Sequence, residues 1–170
     1  QGCSNLGTMG VKLIAVGKEP HALGIALGTL LQDGIEGLSS DHVEALVDRY
    51  RRPRPRLELG RRLHGLAHGV IDLSDGLVAD LGHVARASGC LATIDASRVP
   101  LSDASRATIA LEPGLLKLAL IGGDDYELLF TVPSSAASDV ETLARELDLP
   151  LSAIGKIRTQ EEGGKALVTV

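Results

Sequence analysis

Two short acidic stretches carry the residue types that handle phosphate and divalent cations. The first is Ile71-Asp72-Leu73-Ser74-Asp75-Gly76-Leu77, followed by Asp80. An apolar strand is expected to end at Leu73, a tight polar turn to follow, and a helix to open near Gly76. Helix starts leave backbone amides unpaired and carry a partial positive charge. Phosphate commonly binds there. Mg²⁺ takes one or two carboxylates together with phosphate and water oxygens. Asp72 and Asp75 suit that role, and Ser74 can add a hydroxyl. The competing reading is that Ser74 or Asp75 serves only as a helix cap.

The second stretch is Gly122-Gly123-Asp124-Asp125-Tyr126-Glu127-Leu128-Leu129-Phe130. Two glycines permit a close backbone approach or a positive φ. Adjacent carboxylates at Asp124 and Asp125 repel unless a cation or donor lies nearby. Glu127 is two residues past Asp125 and shares a strand face with it. The competing reading is a Gly-Gly-Asp turn whose charges are solvated.

A third stretch is basic. Of the 17 Lys and Arg, seven lie from Arg49 to Arg62, and Tyr50-Arg51-Arg52-Pro53-Arg54-Pro55-Arg56 is their centre. Such a run can clamp phosphate or pair with acids of a neighbouring subunit; a solvated surface is the alternative. His64 and His68 stand four apart on an expected helix, but no glutamate-based metal motif accompanies them. The sequence has neither a GxSxG elbow nor a GxxxxGK[ST] loop. Nucleotide binding here would therefore require a fold without a P-loop.

The elements that must position these residues are aliphatic. Hydrophobic residues make up 44% of the chain and aromatics only 2%, so Leu, Val, Ile and Ala must build the core. Strands are expected at 12–16, 70–73, 91–96, 126–132, 153–157 and 166–170. Helices are expected at 22–32, at 41–50 behind a Ser40 or Asp41 cap, at 57–68, and at 76–88 with Gly89 as C-cap. One or two more fall within 102–120 around Pro113-Gly114, and another runs from a Ser134 cap to about residue 147. Residues 1–10 read as irregular. The alternation is loose, and the expectation is a two-layer α+β (α/β) domain with a mixed sheet packed against helices.

The net charge of −5 argues against a nucleic-acid partner held by bulk electrostatics. No apolar run approaches the roughly 18 residues of a membrane span. Cys3 and Cys90 form no disulfide framework and no zinc pattern, so a reduced, cytoplasmic protein is expected. The start at Gln1 and a final strand that reads as cut short suggest a fragment of a longer protein.

Taken together, residues 49–133 resemble thiamine-monophosphate kinases. The shared marks are Arg52-Pro53-Arg54-Pro55-Arg56-Leu57 and Gly60, then 71–77 with Asp80-Leu81-Gly82-His83, then Gly122 to Thr131, all in register. Residues 12–48 and 134–157 match more loosely. The resemblance implies the C-terminal domain of the aminoimidazole ribonucleotide synthetase-like fold over residues 11–170. The family's N-terminal ATP-binding and dimerisation domain is absent. It implies transfer of the γ-phosphoryl of ATP to thiamine monophosphate with Mg²⁺, in a homodimeric full-length protein. Asp72 and Asp75 are then the metal ligands, Ser74 the ATP contact and Asp124 the substrate contact. Asp125, Glu127 and Asp80 are weaker site candidates. Asp124 stands where the family usually has Glu. The family's Thr-Gly-x-Leu-Gly-Asp turn is not found at 16–21, and its C-terminal stacking aromatic has no counterpart. Isolated, the fragment is expected to be inactive. The alternatives are another ATP-dependent enzyme of the superfamily (selenophosphate synthetase or a hydrogenase maturation factor) and a non-catalytic ligand-binding or dimerisation domain.

Overall fold

The structure is a computed structural model that describes residues 11–16, 34–159 and 168–170, the first of these as backbone. The expected irregular segment 1–10 and helix 22–32 lie outside the described residues, as do positions 17–21.

Among the described residues the elements are β1 (Val11–Val16), α1 (Ser40–Arg51), α2 (Leu57–Arg62), β2 (Gly69–Asp72), α3 (Leu77–Ser88), β3 (Cys90–Ile94), α4 (Asp103–Leu111), α5 (Leu115–Ile121), β4 (Leu128–Pro133), α6 (Ala137–Glu146), β5 (Leu151–Thr159) and β6 (Val168–Thr169). The strands form one sheet in the order β2-β4-β1-β5-β3-β6. All neighbours are antiparallel except β3 and β6, which run parallel. This is the α+β class with a mixed sheet that the sequence pattern implies.

Strand alternation divides the core between the two faces of the sheet. In β4, Leu129 packs with Leu77 and Leu81 of α3 and Leu120 of α5. Its neighbours Phe130 and Val132 pack with Leu59 of α2 and Val140 and Leu143 of α6. The period of two along a strand sends successive side chains to opposite faces. Helices therefore cover both faces at β4, which explains why this strand is apolar but for Thr131. A third cluster joins Leu46 of α1, Ala104 of α4, and Leu115 and Ala119 of α5.

β5 shows why its hydrophobic spacing looks irregular. Leu13 pairs with Gly155 and Ile14 with Ala153, leaving Ile154 as an extra residue. Such a bulge shifts the alternation by one. Ile154 and Ile157, three residues apart, consequently pack in the same cluster.

Local signals set most helix ends. The left-handed Gly89 (φ 62) closes α3 as expected. Pro113-Gly114 separates α4 from α5. The cap of α1 is Ser39, which accepts from the His42 amide at 3.3 Å, one residue before the expected start. The helix expected over 57–68 stops at Arg62, and Gly65 takes φ 81 in the turn that follows. Ser134 begins a short 3₁₀ turn (Ser134–Ala136) rather than capping α6.

Cys90 is buried at the start of β3, and Cys3 lies outside the described residues. No described helix is long and apolar enough to cross a membrane.

Candidate functional site

Antiparallel pairing of β2 and β4 brings the two acidic stretches together. Asp72, the last residue of β2, pairs with Leu128, the first of β4. The first acidic stretch continues beyond the end of β2 and the second leads into the start of β4. Both must therefore emerge at the same corner of the sheet.

The two loops are joined through their backbones. The Leu73 amide donates to the Glu127 carbonyl at 2.9 Å, and the Leu73 carbonyl accepts from Asp125 at 3.1 Å and Tyr126 at 3.2 Å. The Asp124 amide donates to the Ser74 carbonyl at 2.8 Å. Two glycines permit this approach. A Cβ on Gly123 would lie 2.2 Å from the Ser74 carbonyl oxygen. One on Gly76, itself at φ 107, would lie 2.5 Å from the Ile121 carbonyl oxygen. Real Cβ atoms do not approach backbone oxygen so closely, so a side chain at either position would force the loops apart.

Asp80 organises the first loop from one turn inside α3. It is buried, and its Oδ2 accepts from the amides of Ser74 at 3.0 Å and Asp75 at 3.1 Å. Those two amides are thus engaged within the protein. The first turn of α3 follows directly, and its dipole favours an anion there. The Ser74 hydroxyl donates to Asp75 Oδ1 at 3.4 Å.

Asp72 and Asp75 are both exposed. Asp75, Asp80 and His83 bring one ligand atom each to within 4.8 Å of one another. His83 Nε2 lies 3.8 Å from Asp75 Oδ2. Mg²⁺ takes hard oxygen donors, which favours the exposed carboxylates of Asp72 and Asp75 over the imidazole. Asp80 already has one oxygen committed to the turn. Asp72 is not among the three residues whose ligand atoms meet, so the group gathered here is Asp75, Asp80 and His83.

The second loop alternates between solvent and interior. Asp124 and Tyr126 are exposed, while Asp125 and Glu127 are buried. Asp124 has φ 66 and Tyr126 φ 54. Aspartate visits this left-handed region more readily than most residues, but tyrosine does so rarely. Each such residue costs on the order of 1–3 kcal/mol and persists only when its surroundings dictate it.

Glu127 is enclosed by the basic stretch. Arg49 donates to its Oε1 at 2.7 Å, and Arg56 forks onto both oxygens, Nε to Oε2 and Nη2 to Oε1, each at 2.7 Å. Arg49 is itself buried and donates to the Asp125 carbonyl at 3.3 Å. Arg49 and Arg56 are thus internal ion-pair partners, whereas Arg51, Arg52 and Arg54 are exposed. Arg52 and Arg54 lie beside Asp48. The sequence reading offered a phosphate clamp, a subunit contact or a solvated surface, and did not single out Arg49. The signal that points to it is physical. A glutamate at the mouth of a buried apolar strand needs a cation, and the arginine-rich stretch is the concentrated source of them.

Comparison with known proteins bears on this arrangement. The family model described as AIR synthase related protein, C-terminal domain, matches residues 9–166. This chain belongs to that family. As a member of the AIR synthase related family, it is 39% identical over 142 residues to the thiamine-monophosphate kinase of Escherichia coli K12. That match covers 84% of this chain and 42% of the relative. The chain thus spans less than half the length of that curated relative.

The thiamine-monophosphate kinase of Stenotrophomonas maltophilia K279a superposes with a TM-score of 0.83 at 36% identity, covering 96% of this chain and 51% of that one. AaThiL complexed with AMPPCP and TMP gives 0.74 at 28%, covering 95% and 49%. The likeness to thiamine-monophosphate kinases read from the sequence is what these comparisons find. The hydrogenase maturation protein HypE of E. coli, at TM-score 0.60 and 22% identity over 91% of this chain and 45% of that one, shares the fold.

Proposed function

We propose that this member of the AIR synthase related family supplies the phosphate- and acceptor-binding half of a thiamine-monophosphate kinase. That enzyme makes thiamine diphosphate from ATP and thiamine monophosphate. The observation that carries the reading is the backbone docking of residues 73–74 against 124–127, which holds two acidic loops at one sheet corner. Phosphoryl transfer requires a donor and an acceptor phosphate to be brought together and their charge neutralised, with little covalent work from the protein.

In this reading Asp72 and Asp75 hold Mg²⁺, which when bound offsets the phosphate charge. The Ser74 hydroxyl contacts ATP, and the dipole of α3 favours its phosphates. Asp124 presents its carboxylate to the acceptor. Asp80 acts from below by fixing the turn, and Asp125 and Glu127 support the acceptor loop from within. The unit extends over residues 11–170 and works in the cytoplasm as part of a homodimer, with the remaining site residues supplied outside it. Alone it is inactive. A different ATP-dependent reaction of the superfamily rests on fold likeness only, as with HypE, whereas the relatives above 35% identity are thiamine-monophosphate kinases.

The test is turnover of thiamine monophosphate with ATP and Mg²⁺ by the intact protein, with and without Asp75→Asn. The variant should lose at least about a hundredfold in kcat, the scale for removing one preorganised electrostatic contact. Undiminished turnover would refute the assignment of Asp75. An intact protein that ignores thiamine monophosphate would refute the function itself.

A further inference from the structure

We propose that Arg49 and Arg56, acting through Glu127, are positioning residues for the acceptor loop. They hold residues 124–126 in a conformation the backbone resists, and so set where Asp124 presents its carboxylate. The proposal rests on the reading of Asp124 as the acceptor contact.

The argument begins with strain. Two non-glycine residues with positive φ, Asp124 and Tyr126, flank one buried aspartate. Left to itself, a segment entering a strand relaxes towards extended φ. Here it is held from two sides. On one side, the amides of Asp124, Asp125 and Tyr126 bond to the Leu73 and Ser74 carbonyls. On the other, Arg49 takes the Asp125 carbonyl at 3.3 Å and Glu127 at 2.7 Å, and Arg56 grips both Glu127 oxygens. Glu127 adjoins β4 at Leu128, so fixing its side chain fixes where the loop must end.

The chemistry of the group supports a positioning role over direct catalysis. Both Glu127 oxygens already accept charge-assisted bonds, and the residue is 3% exposed. A carboxylate so engaged is poorly placed to move a proton or bind substrate. The fork from Arg56 is planar and bidentate, a geometry that lysine cannot reproduce. The arginines are 76 to 78 residues (Arg49) and 71 residues (Arg56) distant from their acceptors in sequence. The acceptor loop is therefore set by the α1–α2 segment, while its other flank is set by the metal-binding turn.

The experiment uses the intact protein with Arg56→Lys and Glu127→Gln. Three quantities are read: the KM for thiamine monophosphate, the KM for ATP, and hydrogen exchange of the 124–126 amides in unliganded protein. Arg56→Lys should raise the acceptor KM about tenfold, as a small misplacement of a substrate contact does. The KM for ATP should stay within about twofold, and the three amides should exchange faster. Glu127→Gln should show the same split more strongly. An unchanged acceptor KM in folded Arg56→Lys would overturn the proposal. So would equal losses for both substrates, or failure of Arg56→Lys to fold, because the pair would then support the fold at large. If the parent protein does not turn over thiamine monophosphate, the functional reading fails on its own. The exchange measurement then still decides whether the arginines hold the loop, and unchanged exchange sinks that claim.

Discussion

The two loops of the site are built by opposite means. The turn at residues 72–76 is organised locally: its Ser74 and Asp75 amides bond to Asp80, six and five residues away. The loop at 122–127 is organised from afar, by Arg49 and Arg56 bonding to groups more than seventy residues on. A locally closed turn can form whenever its own helix forms. A loop clamped by distant charges exists only when the whole sheet corner has assembled. The side with the 72–76 turn should therefore tolerate perturbation better than the side with the 122–127 loop.

Removing the centre of the distant clamp should have the largest effect. Glu127→Ala removes the carboxylate that Arg49, buried at 4% exposure, meets at 2.7 Å. Breaking a buried ion pair from one side costs about 3–5 kcal/mol. Chemical denaturation should register that loss as a lower midpoint, and a change under about 1 kcal/mol would erase the contrast between the loops.

Asp80→Asn tests the local turn. The amide side chain keeps one acceptor oxygen but loses the charge, so a loss of about 1–2 kcal/mol is expected. Exchange should quicken at the Ser74 and Asp75 amides while residues 124–126 stay protected. Spread of the change to the second loop would show that the two are not separately held.

The smallest effect belongs to the exposed part of the same basic stretch. Arg52 is 81% exposed and faces Asp48 across an i,i+4 ion pair. Arg52→Ala should alter stability by less than about 0.5 kcal/mol. Thermal melts of Arg52→Ala beside Arg56→Lys would then separate the surface arginines from the clamping ones.

Much of the scaffold was legible because its signals are short-ranged. The apolar run in 126–132, Gly89 after a helical period, and the Pro113-Gly114 break each depend on a few neighbours. The α1 cap lay one residue from its expected place because Ser39, Ser40 and Asp41 are all competent caps. The helix over 57–68 was read too long because apolar residues continue past Arg62. Leu63, Leu66 and Ala67 are apolar because they pack in the α2–α6 cluster, not because they continue the helix. Ile154 and Ile157 obey no strand period until the bulge opposite Leu13 and Ile14 is known.

By itself the sequence determined where the acidic residues cluster, that they follow or precede strands, and that the core is aliphatic. Those are properties of composition and of neighbours along the chain. The tertiary structure alone decided that the two acidic loops share a corner, since that follows from β2 pairing antiparallel to β4. It also decided that Arg49 and Arg56 face inwards to Glu127. A charge's partner is set by distance through space, and residues 49 and 127 become neighbours only when the helices close over the sheet.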